Sequence, residues 1–195
     1  MSRQQYFPRA KYFAMQAIMC VLLCGTIGLA ALLDQHLHKS QVVQLSDPIG
    51  DNWISFRAPV GWKMDPPVAN DDGGLYHISE PDQTDTQRNI FVRHLRIGNQ
   101  FLGPMQYIRQ ELGQEPQTFP QPSAVIDGHN ATTVRWQVVE VEDNQPQQLE
   151  GLAFCVIVPG SQVITITFQR AGELSTTDRI LMSQVLDSIK ILPGN

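Results

Sequence analysis

The histidines and carboxylates are the first residues in this sequence that could do chemistry. His77 and His94 each stand in a strand-like run, and Asp71, Asp72 and Glu80 flank the first. If those runs pair as neighbouring strands, two imidazoles and a carboxylate could meet around a metal such as zinc. No His-x-x-x-His or paired-carboxylate spacing accompanies them. His77 and His94 therefore stand as metal candidates only on the condition of pairing, and no metal or other cofactor is expected. His129 lies beside Asp127 and Ser123, but a catalytic triad needs residues brought together from separate parts of the chain. No Gly-x-Ser-x-Gly elbow is present. Cys155, between Phe154 and Val156, reads as a small buried hydrophobe without a base to activate it.

Other short patterns carry less. Gly73-Gly74 is not followed by Gly-Lys-Ser/Thr, so it is not a phosphate loop. Asp71-Asp72-Gly73 lacks the spacing of a calcium loop. Asn130-Ala131-Thr132 matches a glycosylation sequon but reads first as part of a hairpin turn. His36 and His38 sit in a polar stretch that reads as solvated tether. No catalytic residue is expected, and the chain is not read as an enzyme.

Any such residues must be positioned by one domain of ordinary size. The chain has 195 residues, 42% hydrophobic and 17% charged, which suits a packed globule rather than a disordered chain. Its net charge of −5 is unevenly divided. Residues 1–39 hold four basic and one acidic residue, whereas residues 40–195 hold ten basic and eighteen acidic. An acidic domain has no electrostatic attraction for polyphosphate, so nucleic acid is not an expected partner. Cys20 and Cys24 lie in the apolar N-terminal stretch, leaving Cys155 as the one thiol of the domain and excluding an internal disulfide there.

Residues 12–33 are almost wholly apolar, with Gln16 the main interruption, and Arg3, Arg9 and Lys11 precede them. That length crosses a bilayer as a helix. The charge bias puts residues 1–11 in the cytoplasm and the rest outside it. The expected organisation is a basic N-terminus over 1–11, a transmembrane signal anchor over 12–33, a linker over 34–52 and an extracytoplasmic domain over 53–192. The alternative is a secreted protein cleaved near Ala30, after the small residues Gly28 and Ala30.

Within the domain, periodicity predicts strands near 53–57, 75–79, 89–97, 131–142, 149–158 and 163–169. Gly103-Pro104 opens a helix with Met105, Ile108 and Leu112 on one face, and Gly113 suits its end. Residues 115–122, with three prolines, read as a stiff loop. Asp127-Gly128 is a hairpin signal. Residues 149–158 are apolar on both faces and are expected at the sheet centre. A closing helix is expected over 175–191, with Ser175 and Asp178 at capping-box spacing and Leu181, Met182, Val185, Leu186 and Ile189 as its apolar stripe. The order gives an α+β class: an antiparallel sheet with helices on both faces, an α/β/α sandwich preceded by one transmembrane helix.

Phe56-Arg57-Ala58-Pro59-Val60-Gly61-Trp62 resembles the opening F-x-x-P-x-G-W of the PsbP-like superfamily. Ile126-Asp127-Gly128-His129-Asn130-Ala131 is similar to that family's I-x-G-x-x-A hairpin, and Val185-Leu186-Asp187-Ser188-Ile189 to its terminal helix. The resemblance implies an antiparallel sheet between helices and docking to other proteins. Phe56, Pro59, Gly61, Trp62 and Gly128 are then structural turn and core positions, not catalytic ones. The expected function is a membrane-anchored, non-enzymatic binding or assembly module with a protein partner in the cell envelope, contacted through residues 70–74 and 115–122. The alternatives are a small-ligand or metal receptor, and an undetected hydrolase.

Overall fold

A computed structural model describes residues 43–70, 73–81, 87–97, 103–113, 116–142, 145–158 and 162–192. The expected anchor over 12–33 lies outside them. Among the described residues no helix is long and apolar enough to cross a membrane. Residues 43–195 form one compact unit.

Eleven strands and two helices make up the described elements. They run β1 (Ile49–Gly50), β2 (Ile54–Phe56), β3 (Lys63–Met64), β4 (Val68–Asn70), β5 (Gly73–Ser79), β6 (Asn89–Arg96), α1 (Pro104–Leu112), β7 (Gln117–Ile126), β8 (His129–Glu142), β9 (Gln145–Val158), β10 (Gln162–Ala171), α2 (Thr176–Ser188) and β11 (Lys190–Ile191). An eight-stranded sheet has the order β3-β5-β6-β10-β9-β8-β7, with β4 also on β5. A small second sheet has the order β1-β2-β11. All the pairings are antiparallel, so the class is α+β.

The pleat divides the core in two, because alternate residues of a strand point to opposite faces. On the first face Phe154, Ile166, Phe168, Ile90 and Ile78 pack against Leu181, Met182 and Val185 of α2, Ile189 just beyond it, and Ile54 and Phe56 of β2. On the second, Ala153, Cys155, Val163 and Trp136 pack against Tyr107 and Ile108 of α1. Residues 152–156 of β9 are buried throughout, which is why this stretch is apolar without alternation.

Local chemistry sets the boundaries. Gly103 caps α1 with Pro104 in its first turn, and Gly113 ends it at φ +62. Ser175 and Asp178 form the reciprocal capping box of α2. That helix stops at Ser188, three residues short of the sequence expectation. The Ser188 hydroxyl donates to the Val185 carbonyl at 2.6 Å and accepts the Arg57 N–H at 2.9 Å. It thus draws the chain off the helical path and onto β2, where Lys190 and Ile191 pair with Ser55 and Ile54.

Two further expectations change. Residues 117–122, read as loop, lie within β7. Proline lacks the N–H a central strand must donate, but an edge strand keeps one side free, and β7 is the edge of the large sheet. The segment read as a linker also contributes to the fold from residue 43 onward. Val43 and Leu45 pack on the first core, Leu45 bridges Pro59, and β1 pairs with β2.

Candidate functional site

The strands of His77 and His94 do pair, yet their register separates the two rings. His77 is opposite Phe91, and His94 is opposite Gly74. Phe91 and His94 are three positions apart, an odd offset, so the imidazoles lie on opposite faces. Among the described residues no group of three His, Cys, Asp or Glu side chains is placed to hold a metal.

Each histidine joins its own cluster. His94 is buried, with Nε2 2.7 Å from Asp51 Oδ2. Gly74 makes room for it: a Cβ there would sit 2.6 Å from that nitrogen. Asp51 Oδ2 also accepts the Tyr76 hydroxyl at 2.7 Å, and Oδ1 accepts the N–H groups of Trp53 at 2.7 Å and Ile54 at 3.1 Å. Burial pushes the Asp51 carboxyl up, but hydrogen bonds from Tyr76 and the Trp53 backbone, with the charge of His94, outweigh it and hold the group below the usual range. Burial, then the Asp51 contact, pushes the Tyr76 phenol well up. This cluster ties the entry of the domain to the large sheet. Its sequence signal is an aspartate two and three residues before the N–H groups it accepts, the spacing of an Asx-turn.

His77 stacks on Phe91 with ring centroids 4.5 Å apart and planes 3° from parallel. Its Nδ1 lies 2.6 Å from Asp65 Oδ2 and its Nε2 3.1 Å from Asn89 Oδ1. Beside it opens a cleft of 340 Å³ lined by His77, Ser79, Glu80, Pro81, Gln87, Arg88 and Asn89.

The other singled-out residues are occupied structurally. Asp127 does not orient His129: it accepts from Lys190 Nζ at 2.9 Å and from the Ile191 N–H at 2.8 Å. Those bonds, first the Ile191 backbone, hold its carboxyl below the usual range. Asp127 and Gly128 both have positive φ, +48 and +81, as the type I′ hairpin turn requires. Cys155 is buried. Burial, then the charge of Glu111, pushes its thiol up to about 12, which leaves almost no thiolate at neutral pH. Phe56 is fully buried and meets Tyr76 edge-on at 5.3 Å. Pro59 accepts the Trp62 N–H at 3.3 Å across a turn in which Gly61 has φ +86, and Trp62 packs on the first core.

A surface on β7, β8 and β9 joins Gln117 and Phe119, within the expected contact region 115–122, to residues of β8 and β9 that the sequence did not single out. The register puts Gln117, Phe119, Arg135, Gln137, Val139 and Gln148 on one face. Phe119 is 41% exposed and Val139 62%. The Arg135 guanidinium lies over the Phe119 ring, 5.9 Å from its centroid, and also pairs with the buried Glu150 carboxylate. Gln137 Nε2 donates to Gln117 Oε1 at 2.8 Å. A cleft of 280 Å³ lies among Gln117, Gln137, Val138, Val139 and Gln148. Apolar and amide groups with one neutralised arginine make a patch suited to protein contact, because interface cores are poor in net charge and enriched in aromatic residues and Arg. Residues 70–74, the other expected contact loop, contain the end of β4 and the start of β5, which pair with each other.

No family model matches this chain, and no curated protein does. Among solved structures, the Ran-binding protein Mog1p of Saccharomyces cerevisiae is similar over 77% of this chain and 97% of its own, with a TM-score of 0.52 and 12% identity. LpqN, involved in cell envelope biogenesis of Mycobacterium tuberculosis, is matched over 77% of this chain and 92% of its own, with a TM-score of 0.46 and 17% identity. The likeness to Mog1p shows the fold alone.

Proposed function

We propose that this protein is a membrane-anchored, non-enzymatic binding module whose domain stands in the cell envelope and docks another protein through the β7–β9 face. The exposed Phe119 and Val139 beside a glutamine-lined cleft carry this reading. They interrupt the otherwise acidic surface of a domain with eighteen acidic and ten basic residues beyond position 39. Mog1p, whose fold this chain shares, is itself a Ran-binding protein. The test is mild crosslinking and capture with the full chain and with a Phe119→Ser/Val139→Ser double variant. A specific partner retained by the native chain and lost by the variant, with unchanged melting, supports docking there. Equal capture by both overturns it.

The anchor in this proposal is residues 12–33, with residues 1–11 in the cytoplasm. Fractionation with intact-mass analysis tests it. Full-length mass in the membrane fraction is expected. A soluble exported form beginning after Ala30 would replace anchoring by secretion, and an unprocessed cytosolic form would overturn both.

The cleft beside His77 favours a second reading, reception of a small polar ligand by its amide, hydroxyl and charged groups. Binding to the folded form raises the melting temperature, so a thermal-shift panel of small polar compounds that leaves the protein unmoved would remove this reading.

A further inference from the structure

Strands β8 and β9 outlast their neighbours. The first partner of β7 on β8 is Gln137, and the last partner of β10 on β9 is Leu149. Among the described residues, 138–142 and 145–148 therefore form a strand pair only with each other, as a two-stranded arm. Three markers fix the direction of its backbone groups. Pro120 lies opposite Val134, and Pro146 opposite Val141. A proline has no N–H to exchange, so both fall at non-hydrogen-bonded pairs. The Gln148 carbonyl, opposite Val139, accepts the Gly172 N–H at 2.8 Å on the β10 side. All three agree that Val139 and Val141 aim their N–H and C=O groups away from β9. On that side β7 has not yet begun. The opposite edge is closed by Pro146 and by the Gly172 bond, so among the described residues the arm has one open edge.

The open edge reads Val139-Glu140-Val141-Glu142, and no Lys or Arg occurs between Arg135 and Arg170. A strand laid along it would set a side chain directly opposite Glu140, and the edge sequence adds a second acidic residue, Glu142. A second copy of this edge would oppose like charges, which destabilises a strand pair. A strand with lysine or arginine at those positions gains the opposite-charge pairing. We propose that the arm takes an extended segment of a partner protein, alternating apolar and basic residues, by strand addition along β8. This rests on the docking function and names the chemistry of the partner.

The test uses the full chain in detergent micelles and a fluorescent decapeptide alternating Val and Lys. Controls are a Val/Glu alternating peptide and a Val/Lys peptide of the same composition in two blocks. The alternating Val/Lys peptide should bind, weaken as salt rises and slow hydrogen exchange at the Val139 and Val141 amides. Val141→Pro removes an outward N–H without touching the β8–β9 ladder, and should weaken binding by about tenfold at unchanged melting. Glu140→Lys/Glu142→Lys should transfer the preference to the Val/Glu peptide, a readout independent of how proline is tolerated. Equal binding of the block peptide, or an unmoved preference in the double-lysine variant, overturns the inference. If Val141→Pro leaves partner capture intact while Phe119→Ser/Val139→Ser abolishes it, docking by the face survives and strand addition falls. If neither variant changes capture, both fall.

Discussion

The Asp51 cluster and the β8–β9 arm treat polar groups in opposite ways. At Asp51 four donors, two from side chains and two from the backbone, converge on one carboxylate. On the arm, the outward backbone groups of Val139 and Val141 have no strand partner among the described residues. Satisfied, partly buried polar groups stabilise by holding one arrangement, because removing one partner exposes the cost of burying the rest. Open edge groups add nothing to the fold and are available for another chain. Stability and recognition are therefore expected to separate along the molecule.

The sharpest way to break that contrast is at the sealed side. Val185 is fully buried between α2 and the sheet, so Val185→Asp should cost about 4 kcal/mol or more and abolish cooperative melting. Leu186, in the apolar stripe read from sequence, is only partly buried, and Leu186→Asp should cost less. Asp51→Ala should follow, losing roughly 2–3 kcal/mol in urea unfolding as His94, Tyr76 and two N–H groups lose their acceptor. Acid is a gentler probe. Asp51, Asp127 and Asp178 are held below the usual carboxylate range. For Asp178, burial raises the value, and hydrogen bonds from Ser175 and Arg170 more than offset it. All three bind protons less readily folded than unfolded. Their contribution is complete above about pH 4 and is lost as pH falls through their folded values. Glu111 works the other way, raised by burial against its Arg93 partner, so acid relieves a cost there. Urea unfolding at pH 7 and pH 3 should show net loss at pH 3, and Asp51→Asn should flatten that loss. Smallest of all, Glu140→Ala on the arm should shift stability by no more than about 0.5 kcal/mol. A larger loss would mean that the arm belongs to the folding core.

What could be read from the sequence was local. The two-faced run of β9, the Gly103–Pro104 start and Gly113 end of α1, the Ser175 box and the Asp127-Gly128 turn all carry their cause within a few residues. Those features were enough for an antiparallel α+β sheet. What stayed hidden depended on partners far along the chain. The prolines of β7 signal loop until the strand is known to be an edge. The polar entry segment signals tether until Tyr76 and His94 are seen to hold Asp51. His77 and His94 look like possible neighbours until the register turns them apart. The candidate face was hidden for the same reason, since Gln117, Gln137 and Gln148 become one surface only through pairing across three strands.

The small sheet has a consequence for the order of events during synthesis. Ile54 of β2 finds its partner in Ile191 of β11, separated by almost the whole domain, and loops of such length close late. A ribosome must release nearly every residue of the domain before this seam can shut. Until then the nascent chain has no complete first core, because Ile54 and Ile191 both pack there.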